Sequence, residues 1–419
     1  MAGLRYLDLF AGAGGLSEGF MRAGFIPVSH VEMDTAACYT LKTRLAYKWL
    51  LTQGKADIYD SYLRGEITRD DFYRVVPEEL LSTVLNYEIS WDSIEEIFTR
   101  IDINLKDKKI DLIVGGPPCQ AYSLIGRARD ENGMLGDKRN YLYQLYGEFL
   151  KRYKPRFFVF ENVTGLLSAK DTDGILHFEK MQAMFQQYGY KTEYKILNAA
   201  DFGVLQNRRR IILIGKYGES NDFYPEIETV KREYNVGEIF TDLPSIQAGG
   251  GTIKPIHTLS YHGKYLYISG IKNTDRQLVT FYNARTNTEQ DKKIYRIAVD
   301  LWNREHKRLN YTDLSEDLQT QNNKVSFLDR FKVVAADIDC SQTVVAHVAK
   351  DGHYFIHPDI SQNRSLTPRE IARLQTFPDD YYFESVSGKP SRTTAYKQIG
   401  NAVPVCLAEK VAKALLNIW

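Results

Sequence analysis

The chain has 419 residues, which is long for a single core and predicts one large domain with a smaller one. Its 43% hydrophobic and 26% charged residues are typical of a soluble globular protein, and no apolar run of about 18 residues predicts a membrane span. The net charge of +1 gives no indication of a nucleic-acid partner, and the four cysteines lack CxxC spacing. Their scatter argues against a zinc site or a disulfide framework and predicts a cytoplasmic protein.

The N-terminal segment predicts a strand over Tyr6–Phe10, a glycine-rich turn over 11–15, a helix, and a second strand over Val28–Glu32. Glycines after a strand let the backbone approach a ligand closely, although a plain tight turn is the alternative. The spacing is not GxGxxG, because Ser17 occupies the sixth position, so a diphosphate is not expected. Glu32 is placed to accept hydrogen bonds from ribose hydroxyls. Together these features indicate a nucleoside-bearing cofactor without a pyrophosphate.

Three further apolar runs predict buried strands at Ile110–Val114, Phe157–Phe160 and Ile211–Gly215. Strands that alternate with helical segments predict an α/β sheet covered on both faces. Reactive groups in such sheets gather at the carboxyl ends of the strands, so the polar residues that follow the strands should converge on one crevice. A charged, helix-prone insertion at 47–85 receives no role from the sequence.

The loop after the third strand reads Gly115-Gly116-Pro117-Pro118-Cys119-Gln120. Two prolines cannot continue a ladder, so Cys119 is predicted to lie on a rigid loop at the strand end. Such a position exposes a thiol, whereas a packing cysteine is usually buried. A reactive cysteine and an ordinary loop cysteine are both compatible with this pattern.

Polar residues also flank the next two strands. Glu161 follows a very apolar strand, where partial desolvation would raise the pKa of its carboxyl and let it hold and donate a proton. Arg208 and Arg210 lie just before the following strand, and their alternate spacing predicts that they face the same side. A basic strand edge without function is the alternative reading.

The pattern after Gly215 becomes irregular until about residue 363, which predicts a second domain. Within it, residues 251–310 hold eleven Lys or Arg against five acids, interleaved with aromatic residues. This suits a surface that contacts phosphates, although a solvated basic surface is the alternative. Regularity returns at Thr367-Pro368-Arg369-Glu370, a helix-start signature, and a last helix is predicted over Val405–Leu416.

The order and the residues of these segments resemble the motifs of the cytosine-C5 DNA methyltransferase family of bacterial restriction-modification type. The resemblance extends over nearly the whole chain. The resemblance is carried by seven segments, namely Asp8–Gly15, Glu32-Met33, Gly116–Gln120, Glu161–Val163, Gln206-x-Arg208-x-Arg210, Arg364–Pro378 and Gln398–Pro404. It implies an α/β fold, a Rossmann-like S-adenosylmethionine-dependent methyltransferase sheet with helices on both faces, plus a smaller target-recognition domain. The implied domains are a catalytic cofactor-binding domain at 1–217, target recognition at 218–363, and a C-terminal part, 364–419, that returns to the catalytic domain.

The resemblance also implies roles for single residues. Cys119 would attack cytosine C6, Glu161 would hold a proton at N3, and Arg208 and Arg210 would bind O2, with Arg210 the closer of the two. Contacts to duplex DNA are implied for Gln120, Ser123 and Arg127. S-adenosylmethionine would be bound by Phe10, Gly12, Gly14, Gly15, Glu32, Met33, Asp92, Gly116, Pro117, Leu142, Asn401, Ala402 and Val403. Asp92 and Asp102 compete for the contact to the cofactor adenine, and Asp92 is preferred because Asp102 is close to the next strand.

Three other readings are weighed against this one. An RNA methyltransferase would use the same Cys119 and Glu161 chemistry, but the long 218–363 region favours a domain that reads duplex DNA. A nicotinamide or flavin enzyme is disfavoured by the missing GxGxxG spacing. A non-catalytic DNA-binding homologue is disfavoured by the presence of Cys119, Glu161 and both arginines. The expected partners are double-stranded DNA and a restriction endonuclease acting on the same site without a stable complex, with the protein itself a monomer.

Overall fold

The computed structural model describes residues 3–118, 141–218, 221–274 and 278–419. Cys119, Gln120, Ser123 and Arg127 therefore lie outside the described residues. Within the described part, none of the helices combines the length and the apolar character needed to span a bilayer.

A seven-stranded sheet forms the centre of the catalytic part, in the order β3-β2-β1-β4-β5-β7-β6. The five strands from β3 to β5 run parallel, and β7 pairs antiparallel with both β5 and β6. The strands are β1 (Arg5–Leu9), β2 (Ile26–Glu32), β3 (Val84–Asn86), β4 (Leu112–Gly115), β5 (Phe157–Asn162), β6 (Tyr190–Asn198) and β7 (Arg209–Tyr217). The predicted α/β sheet is confirmed. Five of its strands overlap the predicted apolar runs, whereas β3 and β6 were not predicted.

Helices cover both faces of this sheet, as predicted. The helices of this part are α1 (Gly15–Arg22), α2 (Thr35–Thr52), α3 (Ala56–Arg64), α4 (Arg69–Arg74), α5 (Glu78–Leu81), α6 (Ile94–Leu105), α7 (Leu142–Tyr153) and α8 (His177–Gln187). Alternate residues of β1 point to opposite faces. Leu7 packs with residues of α6, α7 and α8, whereas Tyr6 packs with α1 and the C-terminal helix.

Residues 221–363 are mostly irregular, as expected for the second region. Besides short 3-10 helices, it contains β8 (Ile256–His257), α9 (Tyr265–Ile268), β9 (Leu278–Val279), α10 (Glu289–Glu305) and α11 (Lys324–Phe327). A small core of its own forms where Tyr295 of α10 packs near Tyr311 and Phe331. The boundaries 1–217, 218–363 and 364–419 remain a prediction.

The C-terminal helices are α12 (Pro368–Leu374), α13 (Arg392–Asn401) and α14 (Val405–Asn417). The Thr367 side chain accepts from the Glu370 backbone N–H while Glu370 reaches back to the Thr367 N–H, so the predicted capping box is present. Three arginines around α12 are fully buried. Arg373 is the most heavily paired, with Asp379 and with Asp242 of the second region, and this pairing ties the two regions together.

The 47–85 insertion begins within α2, contains helices α3, α4 and α5, and ends within β3. Tyr59 and Phe72 are buried in the same core as Phe281 and Tyr381. The Tyr59 hydroxyl donates to the Asp380 carbonyl at 2.7 Å. The insertion is therefore an integral layer between α2 and the segment after α12.

Candidate active site

Four neighbouring parallel strands, β2, β1, β4 and β5, end at the same edge of the sheet. The residues that follow them are Glu32, the 10–15 loop, the Gly116–Pro118 loop and the end of β5 at Glu161-Asn162. Adjacent parallel strands that carry polar residues at their carboxyl ends produce a crevice lined by those residues. The observed strand order thus brings together the segments that carry the sequence motifs.

Glu161 is the second-to-last residue of β5 and is only 9% exposed. Its Oε1 is 2.8 Å from Nε of Arg210, and Arg210 Nη1 also donates to the Arg209 carbonyl at 2.8 Å. Because β7 runs antiparallel to β5, the beginning of β7 lies beside the end of β5. The ion pair fixes the carboxylate at the edge where the strands end.

The Gly116–Pro118 loop is packed against Glu161. A Cβ atom on Gly116 would lie 2.7 Å from Glu161 Oε2, a shorter distance than Cβ atoms in proteins keep from other heavy atoms. The Asn162 side-chain amide donates to the Pro117 carbonyl at 3.2 Å. Glycine at 116 therefore allows the carboxylate to approach closely, and the loop that precedes Cys119 in the chain lies next to Glu161.

Arg208 has different contacts from Arg210. Its guanidinium is buried, and Nη1 donates to the Val344 carbonyl at 2.5 Å. Gln206 accepts from the Val344 N–H at 2.8 Å and donates to the Leu374 carbonyl at 2.9 Å. Gln206 and Arg208 thus hold the 341–344 segment of the second region beside β7, a role that the sequence motif did not indicate. A contact of Arg208 with substrate remains a prediction.

The glycine loop after β1 has two distinct requirements. Gly12 adopts φ +54° in open space, and its N–H donates to Glu32 Oε2 at 2.8 Å. A Cβ on Gly15 would lie 2.3 Å from the Val403 carbonyl oxygen. Glycine at 12 permits the positive φ of the loop, and glycine at 15 lets the 402–403 segment approach α1 closely. Gly14 and Phe10 also have positive φ.

Glu32 accepts two backbone hydrogen bonds, from Gly12 and, through Oε1, from Asp34 at 2.7 Å. Burial raises the pKa of the Glu32 carboxyl, and these two amide donors oppose that rise. A carboxylate has about four lone-pair positions, so each oxygen can still accept a hydroxyl donor. Met33 is 58% exposed beside it. Open space over Gly12, a held carboxylate and an exposed apolar side chain fit the nucleoside end of S-adenosylmethionine.

The other proposed cofactor residues lie on several elements. Asp92 is exposed in the turn before α6, six residues beyond the end of β3, whereas Asp102 inside α6 pairs with Arg152 at 2.5 Å. Leu142 is the first residue of α7, and Asn401 is the last residue of α13. Ala402 and Val403 pack against Gly15 of the glycine loop. The contacts of these residues with the cofactor remain predictions.

Sequence reasoning gave no individual role to two polar residues near Glu32. Asn86 ends β3, and its amide donates to the carbonyls of Glu32 at 3.1 Å and Met33 at 3.0 Å. Asp8, in β1, is 1% exposed, and neither of its carboxyl oxygens has a hydrogen-bond partner among the described residues. Burial, and then the nearby charge of Glu32, raise the pKa of Asp8 well above its usual value. The available signal for Asp8 was an acid inside an otherwise apolar strand.

The chain matches the family profile described as C-5 cytosine-specific DNA methylase over residues 4–64 and 83–417. The chain belongs to this family. The methylase is accordingly a DNA (cytosine-5-)-methyltransferase, which confirms the resemblance inferred from the motifs and overturns the nicotinamide or flavin reading. The profile leaves out 65–82, which contains α4 and α5.

Curated relatives agree with this assignment, and a solved structure shares the fold. The methylase is 38% identical to the Type II methyltransferase M.Bpa9945I of Bacillus paralicheniformis, with 98% of each chain covered. It is 30% identical to the Type II methyltransferase M.DdeI of Desulfomicrobium norvegicum, over 98% of this chain and 88% of that one. A prophage-encoded protein of E. coli, described as a DNA modification methyltransferase, shares the fold with a TM-score of 0.61 at 22% identity over 99% of both chains.

Proposed function

We propose that the methylase transfers a methyl group from S-adenosylmethionine to C5 of a flipped-out cytosine within a specific duplex DNA sequence, through a covalent bond between Cys119 and C6. The observation that supports this most strongly is the Arg210–Glu161 ion pair, packed against Gly116, which precedes Cys119 by three residues in the chain. A proton-holding group and the nucleophile must reach the same pyrimidine ring, and the described contacts put the loop of one against the side chain of the other.

The nucleophilic step follows from the poor reactivity of cytosine C5. Attack of the Cys119 thiolate on C6 saturates the 5,6 bond and makes C5 enamine-like, so one difficult step is divided into easier ones. Glu161 holds a proton at N3 and draws electron density from the ring during the attack. Arg210 keeps the Glu161 carboxylate in place, and we propose that Arg210 and Arg208 also bind O2.

The cofactor, when bound, supplies an electrophilic methyl group on a sulfonium. Glu32 would accept the ribose hydroxyls, and the open backbone at Gly12 would let the ligand approach β1. The second region of the chain, residues 218–363, would read the DNA sequence, and Gln120, Ser123 and Arg127 would contact the strand that carries the target. The target base is stacked inside the duplex, so it must be flipped out before Cys119 can reach it. After methylation C5 loses its proton to solvent and elimination restores the thiolate.

We further propose that the methylase acts as a monomer and protects DNA in a type II restriction-modification system. Its relatives from Bacillus and Desulfomicrobium are Type II methyltransferases, and their similarity covers nearly the whole chain. A cognate endonuclease would act on the same site without forming a stable complex.

Labelled methyl transfer tests the substrate class. The protein is incubated with S-adenosylmethionine and either duplex DNA or transfer RNA, and the methylated cytosines are then located by sequencing. Methylation of duplex DNA at one recurrent sequence is the expected result. Methyl transfer to transfer RNA and not to DNA would overturn the proposal.

A further inference from the structure

A cavity of about 450 Å³ lies outside the candidate active site, where three separate segments meet. It is lined by the end of α3 and the beginning of α4, by Ile253-Lys254 of the second region, and by Tyr382 with the 387–390 turn. Five of its lining residues, from Gly65 to Asp70, fall in the 65–82 segment that the family profile leaves out. The cavity is thus built partly by the addition that this methylase carries.

The charged residues of the lining are mostly cationic. Arg64, Arg69, Lys254 and Lys389 face a single lining acid, Asp70. The two lysines are exposed, and neither has an ion pair with a carboxylate among the described residues. The Arg64 side chain is 44% exposed, and its Nη2 lies 4.0 Å from Asp60 Oδ2. The positive charge of the rim is therefore largely uncompensated.

Arg69 forms the floor of the cavity and is held rigidly. Its Nη1 donates to the Ser385 carbonyl at 2.7 Å, and Nη2 donates to the Val386 carbonyl at 3.1 Å. The guanidinium carbon stacks 3.6 Å from the centroid of the Tyr39 ring, and the side chain is 13% exposed. Its Nε is buried without a hydrogen-bond partner among the described residues. The Arg69 guanidinium is therefore held in one orientation in the cavity lining, where it contributes a fixed positive charge.

One buried carboxylate lies behind Arg69. Glu384 Oε2 is 3.6 Å from Arg69 Nη1, while Glu384 Oε1 accepts from Thr43 and Tyr62. Burial raises the pKa of Glu384 to about 7, against the lowering effect of these donors. Near neutral pH this carboxyl is therefore partly protonated, and it offsets only part of the Arg69 charge.

We propose that this cavity is an anion site that binds a phosphate group, with Arg69 as its floor and Lys254, Lys389 and Arg64 as its rim. This combination suits phosphate, because the exposed lysine ammonium groups supply donors on a compact charge and the fixed guanidinium of Arg69 adds positive charge behind them. The phosphate source that we favour is the backbone of bound DNA. Helix α13 begins two residues after Pro390 and ends at Asn401, next to the glycine loop, so the cavity lies roughly one helix of ~15 Å from the cofactor crevice. The anion site goes beyond the proposed function. Only the choice of DNA as the source of the phosphate rests on that function.

The test uses the full chain with the double variant K254A/K389A. Both lysines are exposed, and neither is placed in the catalytic or cofactor machinery, so folding and methyl transfer chemistry should persist. The matched control, K108A/K413A, removes two exposed lysines from other surfaces, the loop before β4 and helix α14. Affinity for a duplex that contains the methylated sequence is measured from 50 to 200 mM salt, and inorganic phosphate is titrated calorimetrically without DNA.

Loss of one phosphate contact should reduce the slope of log K against log salt by about 0.9. We expect that reduction, with roughly tenfold weaker DNA binding at low salt, in K254A/K389A and not in the control. Unchanged DNA binding with loss of the phosphate titration signal would support the anion site and assign free phosphate as its source. If neither measurement separates K254A/K389A from the control, the site does not exist. Because neither readout involves methyl transfer, a failure of the proposed chemistry would be seen separately.

Discussion

The close approach of Gly116 to Glu161 gives a sharp perturbation of the candidate active site. In Gly116→Ala the new Cβ would lie 2.7 Å from Glu161 Oε2, whereas ordinary contact begins at 3.4 Å. The carboxylate must therefore retreat by about 0.7 Å, and its ion pair with Arg210 resists that movement. Gly116 does not have a positive φ, so alanine introduces no backbone strain of its own.

A displacement of about 1 Å in a catalytic group can cost on the order of 100-fold in rate. We expect kcat for methyl transfer to duplex DNA to fall by roughly 10- to 100-fold, with a much smaller change in the KM for S-adenosylmethionine. The assay is steady-state transfer of labelled methyl, with thermal unfolding of each variant measured in parallel.

The matched control is Gly263→Ala, which places a Cβ 2.7 Å from Glu238 Oε2 and 2.4 Å from the Tyr261 hydroxyl in the second region. It should lower the unfolding temperature and leave kcat of the folded protein close to that of the wild type. A Gly116→Ala enzyme with wild-type kcat would refute the argument that the position of Glu161 governs the reaction.

Three further predictions concern buried charges. Arg373→Met removes the close ion-pair partner of Asp379 and leaves Asp242 with Lys272 alone, so chemical denaturation should show a loss of about 3–5 kcal/mol in unfolding free energy; a loss below ~1 kcal/mol would contradict this. The pKa of Glu384 is about 7 in the folded protein against an ordinary 4.5, so wild-type stability should fall as pH rises through that window. The stability of E384Q relative to the wild type should therefore increase between about pH 4.5 and 7 and stay constant above pH 7. A difference in unfolding temperature between the two proteins that does not change with pH across that range would count against the assignment. Glu32→Gln places an amide NH₂ against a backbone donor of Gly12 or Asp34, so the KM for S-adenosylmethionine should rise by about tenfold, and an unchanged KM would exclude a cofactor role for this carboxylate.

Much of the site could be predicted because its residues follow apolar strands. Glu32, Gly116 and Glu161 each end or follow a buried run, and parallel strands bring such ends together. The capping box at Thr367 was equally local and is confirmed.

The contacts that sequence could not supply depend on pairing between distant segments. The alternate spacing of Arg208 and Arg210 suggested equivalent roles, but β7 begins at Arg209, so Arg208 precedes the strand and reaches Val344 while Arg210 reaches Glu161. The 341–344 segment that Arg208 contacts is more than 130 residues away along the chain. A local pattern carries no information about that partner.

The role of the 47–85 insertion could not be predicted for the same reason. Its helices were visible as charged, helix-prone sequence, but their role depends on residues 380–384, which lie about 300 residues later. The hydroxyls of Tyr59 and Tyr62 donate to the Asp380 carbonyl and to Glu384, and nothing near the tyrosines in sequence indicates these acceptors.

The central claim is that the sulfur of Cys119 forms a bond to the target base, and covalent trapping measures this directly. Duplex DNA with 5-fluorocytosine at the methylated position is incubated with the protein and S-adenosylmethionine, and the products are separated under denaturing conditions. The wild type and Cys340→Ser should form a DNA adduct of increased mass, and Cys119→Ser should form none. An adduct that persists in Cys119→Ser would contradict the account.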